Sequence, residues 1–334
     1  MIAAEPDVWR RLAEGLAQGR SGWLVTVLST WGAAPRLPGS VWVLWDDGTM
    51  MGSVSGGCIE EDLQSRLRTS RSPGYRLFGL TYGDREGDRE RFRLPCGGTL
   101  HLVAERLVPV PDLMSHFRQV ADALLNRRAI CRGLSLSGSL PDLTAPRREA
   151  VESEPERICL TYGPVVRLLL MGAGPVAEAL TVMALQSGMD VAVCEPREAW
   201  RSSWSVAGVR PDAALPDDWL QQKKPDHQSA IVCLSHDPRV DDMALLEALK
   251  GPALLVGAMA SARTARKRAE RLQSLGLSPF ELARLESPVG MDIGSRTPAE
   301  IAVSILARIF QVKNQRLPVR TDYPVPEALP DRLA

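Results

Sequence analysis

The residues able to do chemistry sit in a few short stretches. Ser55-Gly56-Gly57-Cys58 and Cys96-Gly97-Gly98 each set a thiol beside a glycine pair, in mirror-image order. Consecutive glycines can curl successive amides into a nest that holds an anion. A cysteine thiolate is both a nucleophile and a soft metal ligand. Two thiols beside such backbone either hold one soft ligand or flank one site; alternatively the glycines serve only the tight turns of a compact sheet. Ile59, Leu63 and Leu67 share one face of a helix predicted over 58–68, which places Cys58 at its N-terminus. Free N–H groups there favour a thiolate. Glu60, Glu61 and Asp62 add negative charge in the same turn and oppose it. The alternative for Cys58 is a buried structural thiol.

A third stretch runs from Arg167 to Glu195. The apolar run 168–171 is long enough for a buried parallel strand and leads straight into Gly172-Ala173-Gly174-Pro175-Val176-Ala177. This is the G-x-G-x-x-A dinucleotide pattern. Gly172 permits the turn, Gly174 lets backbone approach a pyrophosphate, and Ala177 allows close helix–strand packing. A helix ending at Gly188 and a second strand over 191–194 follow. Glu195 then stands at roughly the twenty-residue distance at which an acid accepts from a ribose hydroxyl. The unit binds a nucleotide such as NAD(P), or it keeps the glycines for packing alone. Arg197 behind it meets either a phosphate or solvent, and Trp200 and Trp204 cover apolar surface or rim a pocket.

Further along, the apolar strand 230–234 is followed by Ser235-His236-Asp237-Pro238. Polar residues at the C-terminal end of a parallel strand face the ligand crevice, so His236 and Asp237 are site candidates; a helix cap is the other role open to Asp237. Ser261 and Thr264 start an arginine-rich helix running to Leu275, whose cations meet a phosphate or solvent. Asp292 lies between Met291 and Ile293 in a loop with two glycines, where half-burial of its carboxylate would demand a partner.

These residues need a scaffold of alternating strands and helices. A helix over 8–16, strands over 22–28 and 41–45 and an Asp-Gly hairpin turn at 47–48 open the chain. Strands over 75–81 and 100–104, a helix over 112–125 and a strand over 129–136 that closes the N-terminal sheet come next. The polar, proline-containing stretch 137–156 reads as a surface excursion or linker. Thr297, Pro298 and Glu300 form a helix start with a capping box, and the helix continues to Phe310. The expected fold is α/β: an N-terminal mixed-sheet domain over 1–157 including the linker, and a Rossmann-like parallel-sheet domain over 158–334 with an extended tail.

Composition removes several classes of function. The 40 basic and 40 acidic residues cancel, so no basic footprint for nucleic acid exists. No apolar run reaches the ~18 residues of a membrane span. The N-terminus carries early acids and lacks a continuous apolar core, unlike a signal peptide. The six cysteines are widely spaced without a CxxC pair, which suits a reduced, cytoplasmic setting. His101, His116, His227 and His236 are scattered and give no zinc-binding spacing.

Taken together, GSVSGGCIEEDL (52–63), PCGGTLHL (95–102), MGAGPVAEAL (171–180), SHDPRVDDMALLEAL (235–249), VGAMASARTARKR (256–268) and SPVGMDIGSRTPAEIAVSILARI (287–309) resemble the XdhC/CoxI family, the xanthine dehydrogenase accessory proteins. The resemblance covers nearly the whole chain, in order. It implies an N-terminal XdhC/CoxI domain and a C-terminal Rossmann-like domain. It also implies a role in maturing molybdenum hydroxylases: binding molybdenum cofactor, supporting its sulfuration with a cysteine desulfurase, and delivering it to the apoenzyme. The family's Ser-Gly-Gly-Cys falls on Ser55, Gly56, Gly57 and Cys58, and its Cys-Gly-Gly on Cys96, Gly97 and Gly98. Its His-Asp-Pro falls on His236, Asp237 and Pro238, and its Gly-x-Asp-Ile-Gly on Gly290, Asp292, Ile293 and Gly294. Pro175 stands where the family's fingerprint usually carries histidine, and Ala260 and Ala262 stand where it carries glycine and arginine.

Three functions follow. The first is a molybdenum cofactor chaperone, with Cys58 toward the metal and the backbone of both cysteine motifs, with Gly172, Gly174, Glu195, His236, Asp237 and Asp292, as cofactor contacts. Its partners would be a molybdenum hydroxylase apoenzyme, a cysteine desulfurase and a second copy of itself, and it needs no catalytic residue of its own. The second is an NAD(P)-dependent oxidoreductase, with Glu195 on ribose and His236 as proton donor; no base with an orienting partner accompanies them. The third is a cofactor-free scaffold between desulfurase and dehydrogenase.

Overall fold

The computed structural model describes residues 2–3, 6–31, 36–57, 59–70, 73–83, 98–316, 322–324 and 329. The chain forms two compact units, Met1–Pro164 with Val319–Ala334, and Val165–Pro318. The expected division after residue 157 therefore shifts: the strand Arg157–Gly163 and the tail belong to the first unit.

In the first unit, strands β1 (Ile2–Ala3) to β10 (Arg157–Gly163) form two sheets. One is wholly antiparallel, in the order β4 (Met50–Gly52), β3 (Val41–Trp45), β2 (Gly22–Trp31), β6 (Thr99–Leu107), β5 (Leu77–Tyr82). Helices α1 (Pro6–Ala17) and α3 (Pro111–Leu125) supply apolar faces to one cluster with this sheet, through Trp9, Leu12, Leu16, Phe117 and Val120. Helix α2 (Glu60–Thr69) covers the other face. Its Leu63 and Leu67 are fully buried, a gain of about 1.5–3 kcal/mol each. Coverage on both faces explains why β2 is buried from Gly22 to Thr30 without alternation.

The second sheet carries β1, β10, β7 (Ile130–Ser135) and β8 (Asp142–Thr144), with β9 (Val151–Glu154) paired to β10. The expected strand near 129–136 thus belongs to this sheet instead of closing the first. The stretch read as excursion or linker contributes β8 and β9. One buried ion pair staples the two sheets: Arg132 on β7 grips Glu105 on β6 through Nη1–Oε1 at 3.1 Å and Nη2–Oε2 at 2.7 Å. Arg132 Nε donates to His116 Nε2 at 2.9 Å, and burial together with the Arg132 charge pushes that imidazole down to about 2, keeping it neutral.

The second unit is a parallel sheet in the order β12 (Asp190–Cys194), β11 (Arg167–Met171), β13 (Ser229–Cys233), β14 (Leu255–Ala258), β15 (Leu285–Glu286). Helices α4 (Pro175–Gln186) and α10 (Pro298–Arg316) fill one face through Ala177, Leu180, Ala302, Ile305 and Ile309. Helices α6 (Pro216–Lys223), α7 (Pro238–Ala248) and α8 (Ala262–Ser274) fill the other through Trp219, Leu245 and Leu272. Short helices α5 (Glu198–Ser202) and α9 (Pro279–Leu282) complete the unit. The capping box is present: Thr297 N–H donates to Glu300 Oε2 at 3.0 Å, and Glu300 N–H to Thr297 Oγ1 at 3.3 Å. This is the expected doubly wound fold. Strand order reverses between β11 and β13, which makes their C-terminal ends the topological switch point.

Candidate functional site

Within the first unit, antiparallel pairing brings the end of β2 (Trp31), the start of β3 (Val41), the end of β4 (Gly52), the end of β5 (Tyr82) and the start of β6 (Thr99) to one end of the sheet. Ser55, Gly56 and Gly57 leave from this end, and Gly98 re-enters it. Both glycine–cysteine motifs therefore lead to the same end of one sheet. Cys58, Cys96 and Gly97 themselves lie outside the described residues. The helix expected to begin at Cys58 begins at Glu60.

The loop Ser53–Gly57 already contains an anion, the Glu60 carboxylate. Oε1 accepts from Ser53 Oγ at 2.7 Å, Ser55 N–H at 3.0 Å and Val54 N–H at 3.1 Å. Oε2 accepts from the Ser55 hydroxyl and from Gly57 N–H at 3.1 Å. Gly56 N–H donates to Ser53 Oγ at 2.9 Å. The nest anticipated for an external anion is thus filled by the chain itself. Burial works to raise the Glu60 carboxyl, but the bonds from Ser55 and Ser53 outweigh it and hold it down to about 2. By sequence alone Glu60 is one of three first-turn acids beside Cys58. The signal for its real role is Ser-x-Ser-Gly-Gly-x-x-Glu, where hydroxyls and glycine amides stand within one turn of a carboxylate. Below it, Tyr82 donates its hydroxyl to Asp62 Oδ2 at 2.7 Å, tying α2 to β5.

The four described cysteines, Cys131, Cys159, Cys194 and Cys233, are free and buried. Burial pushes the Cys194 thiol up to about 12 and Cys233 well above its usual value, so neither offers a thiolate near neutral pH. Among the described residues, no group of three or more His, Cys, Asp or Glu side chains converges as a metal site.

In the second unit Gly172, Gly174, Glu195, His236, Asp237 and Asp292 all fall in loops beyond the C-terminal ends of the strands. Gly172 has φ +104°, and a Cβ there would meet the Ser235 backbone at 2.8 Å, so only glycine lets the two switch-point loops touch. Gly174 is the N-cap of α4, with no side chain capping the free N–H groups of its first turn. His236 is exposed and held at φ +59°, a left-handed conformation uncommon outside glycine. Asp237 is the N-cap of α7, accepting from Arg239 N–H at 3.0 Å and pairing with its guanidinium at 2.9 Å.

Glu195 is fully buried. Its Oε1 accepts from Arg197 N–H at 3.0 Å and Nε at 2.7 Å, and its Oε2 from Ala173 N–H at 3.0 Å and Arg197 Nη2 at 2.7 Å. Burial tends to raise this carboxyl, but the Arg197 and Ala173 bonds prevail and lower it. Asp292, for which burial would demand a partner, is exposed, as are Met291 and Ile293; its Oδ1 accepts from Gly294 N–H at 3.4 Å. Its apolar neighbours face outward with it, which removes the need for a buried partner.

Two charged residues were missed. Buried Arg268 donates from Nη2 to buried Asp241 at 3.0 Å and from Nη1 to the Met259 carbonyl at 3.2 Å and Ser287 Oγ at 3.4 Å. Asp241 in turn receives the Ser235 hydroxyl at 2.6 Å. One guanidinium thereby joins the loops after β13, β14 and β15. Burial raises the Asp241 carboxyl against the pull of Ser235 and Arg268.

The profile described as the XdhC and CoxI family matches residues 15–79, and that described as the XdhC Rossmann domain matches 168–309. The chain is 27% identical over 327 residues to a probable xanthine dehydrogenase component from Bacillus subtilis (strain 168), covering 87% of this chain and 93% of that protein. It is 26% identical over 307 residues to the molybdenum cofactor insertion chaperone PaoD of Escherichia coli (strain K12), covering 92% and 88%. A crystal structure of a xanthine dehydrogenase from Bacillus halodurans superposes with a TM-score of 0.72 at 22% identity, over 94% of this chain and 97% of that one, and shows the same fold. With both profiles in their expected order, the chain belongs to the XdhC/CoxI family.

Proposed function

We propose that this chain is an accessory protein that binds molybdenum cofactor, supports its sulfuration by a cysteine desulfurase, and inserts it into a xanthine dehydrogenase-type molybdenum hydroxylase. One observation carries the reading. The Ser55-Gly56-Gly57 loop, which leads into Cys58, is fixed by Glu60 at the sheet end that also receives Gly98. The surrounding chain is similar along 92% of its length to a protein named as an insertion chaperone. Because Glu60 takes the loop amides, the loop serves to present Cys58 instead of holding a phosphate. A thiolate at Cys58 suits the soft molybdenum end of the cargo, with Cys96, Gly97 and Gly98 supporting it. In the second unit, Glu195 fixes the Ala173 turn.

The test is anaerobic purification from a molybdenum-replete cell, with metal and pterin analysis of wild type, Cys58→Ala and Cys96→Ala. Near-stoichiometric molybdenum and pterin in wild type, lost in Cys58→Ala, is the expected result. A wild-type protein carrying nicotinamide nucleotide and neither pterin nor molybdenum refutes the proposal.

A further inference from the structure

A doubly wound unit with a G-x-G-x-x-A turn implies a dinucleotide. The adenosine end of such a ligand asks for a carboxylate free to accept from ribose and for open space over the middle glycine. Both places are taken here by the chain's own atoms. Glu195 is 0% exposed, and a carboxylate's four acceptor positions are met by Ala173 N–H and three donors of Arg197. The heavy atom nearest to where a Gly174 Cβ would lie is Trp200 Cζ3, at 3.8 Å. Arg197 stacks on that indole, 5.6 Å from its centroid, so the two side chains brace each other.

The segment that carries them is anchored independently. Arg201 Nη1 donates to the carbonyl oxygens of Glu195 and Pro196 at 2.8 and 2.6 Å. Glu178 Oε1, in the first turn of α4, accepts from Ser205 N–H at 2.7 Å and its hydroxyl at 3.0 Å. Trp204 Nε1 donates to the Val209 carbonyl at 2.8 Å. Beyond the loop, Asp212 bridges to β12 in parallel with Cys194. Arg197 is also turned away from duty as a 2′-phosphate ligand. Nε and Nη2 face Glu195, and Nη1 lies 3.5 Å from the Ser235 carbonyl oxygen.

We infer that Arg197 and Trp200 exclude dinucleotides from the switch point of the second unit, by occupying the places of the adenosine ribose and the adjoining phosphate. A ribose diol would have to strip a bidentate guanidinium from a buried carboxylate. It would replace bonds in which donor and acceptor are both charged with bonds from neutral hydroxyl donors, and leave the guanidinium without its partner. The glycine fingerprint then serves the close contact between the Gly172 and Ser235 loops, and the ends of β13, β14 and β15 are the part of the crevice left to other ligands. This inference goes beyond the accessory function, and its failure leaves that reading standing.

The experiment is calorimetric titration of the full chain with NAD+, NADP+ and ADP-ribose, for wild type, Trp200→Ala and Arg197→Ser/Trp200→Ala. Circular dichroism melts establish that each variant is folded. Wild type is expected to give no saturable binding up to about 1 mM ligand. The double variant is expected to bind ADP-ribose at least about tenfold more tightly than wild type, a gain of ~1.4 kcal/mol. Trp200→Ala alters a side chain that is 42% exposed and so keeps the fold, and it is expected to show part of the gain. Micromolar binding of any of the three by wild type overturns the inference. So does a folded Trp200→Ala or double variant that binds no better than wild type, because the block would then lie elsewhere.

Discussion

Replacing Glu60 by glutamine keeps the shape of the side chain and removes the charge that organises the Ser53–Gly57 loop. The carboxyl falls from its ordinary 4.5 to about 2 in the folded chain, which at ~1.36 kcal/mol per pH unit sets an upper bound of about 3.4 kcal/mol. Glu60 is only half-buried, and solvent screening reduces this to about 1–2 kcal/mol. Because the folded pKa lies below the unfolded one, the stabilisation is complete above about pH 5 and drains away as pH falls through 2. The Val54, Ser55 and Gly57 amides report it directly, since each donates to Glu60. Hydrogen exchange followed by mass spectrometry should show these amides exchanging roughly tenfold faster in Glu60→Gln at pH 7. Taking variant-to-wild-type ratios at each pH cancels the intrinsic pH dependence of exchange. The ratio should approach one near pH 2. Equal rates at pH 7, or a ratio that does not change with pH, would refute the reasoning.

Three other outcomes are expected. His236→Gly should stabilise the second unit by about 0.5–1 kcal/mol by relieving the left-handed backbone, seen as a raised melting temperature that His236→Ala does not share. Arg132→Met should destabilise the first unit by about 3–5 kcal/mol by stranding buried Glu105, and adding Glu105→Leu should recover most of that in urea unfolding. Leu329→Ala should cost about 2–3 kcal/mol, because Leu329 is buried in the first unit's core and rests on Gly79; thermal melts check it.

Signals confined to one element were legible in the sequence. The strand–turn–helix around Gly172 and the Thr297–Glu300 box each depend on residues a few positions apart and stand in the structure as read, and of the two roles open to Asp237 the cap is present. What escaped notice depends on distance. Arg268 finds Asp241 across two helices, and nothing local separates it from the solvated arginines of α8. The strands β8 and β9 are three and four residues long, too short to show alternation, so a sheet edge passed for a linker. Glu60 is ambiguous in the sequence, because charge at a helix start has a common explanation that needs no loop. The apolar neighbours of Asp292 suggest burial in the sequence, and those neighbours are themselves exposed.

The tail carries a consequence for the order in which the protein is made. Domains commonly fold as units from the N-terminus during synthesis. Here the core of the first unit includes Tyr323 and Leu329, which the ribosome delivers only after the whole of Val165–Pro318. The parallel-sheet unit can be finished while its predecessor still lacks part of its own interior. The unit that carries both glycine–cysteine motifs is therefore the last to be sealed, and a chain stopped short of these residues leaves it incomplete.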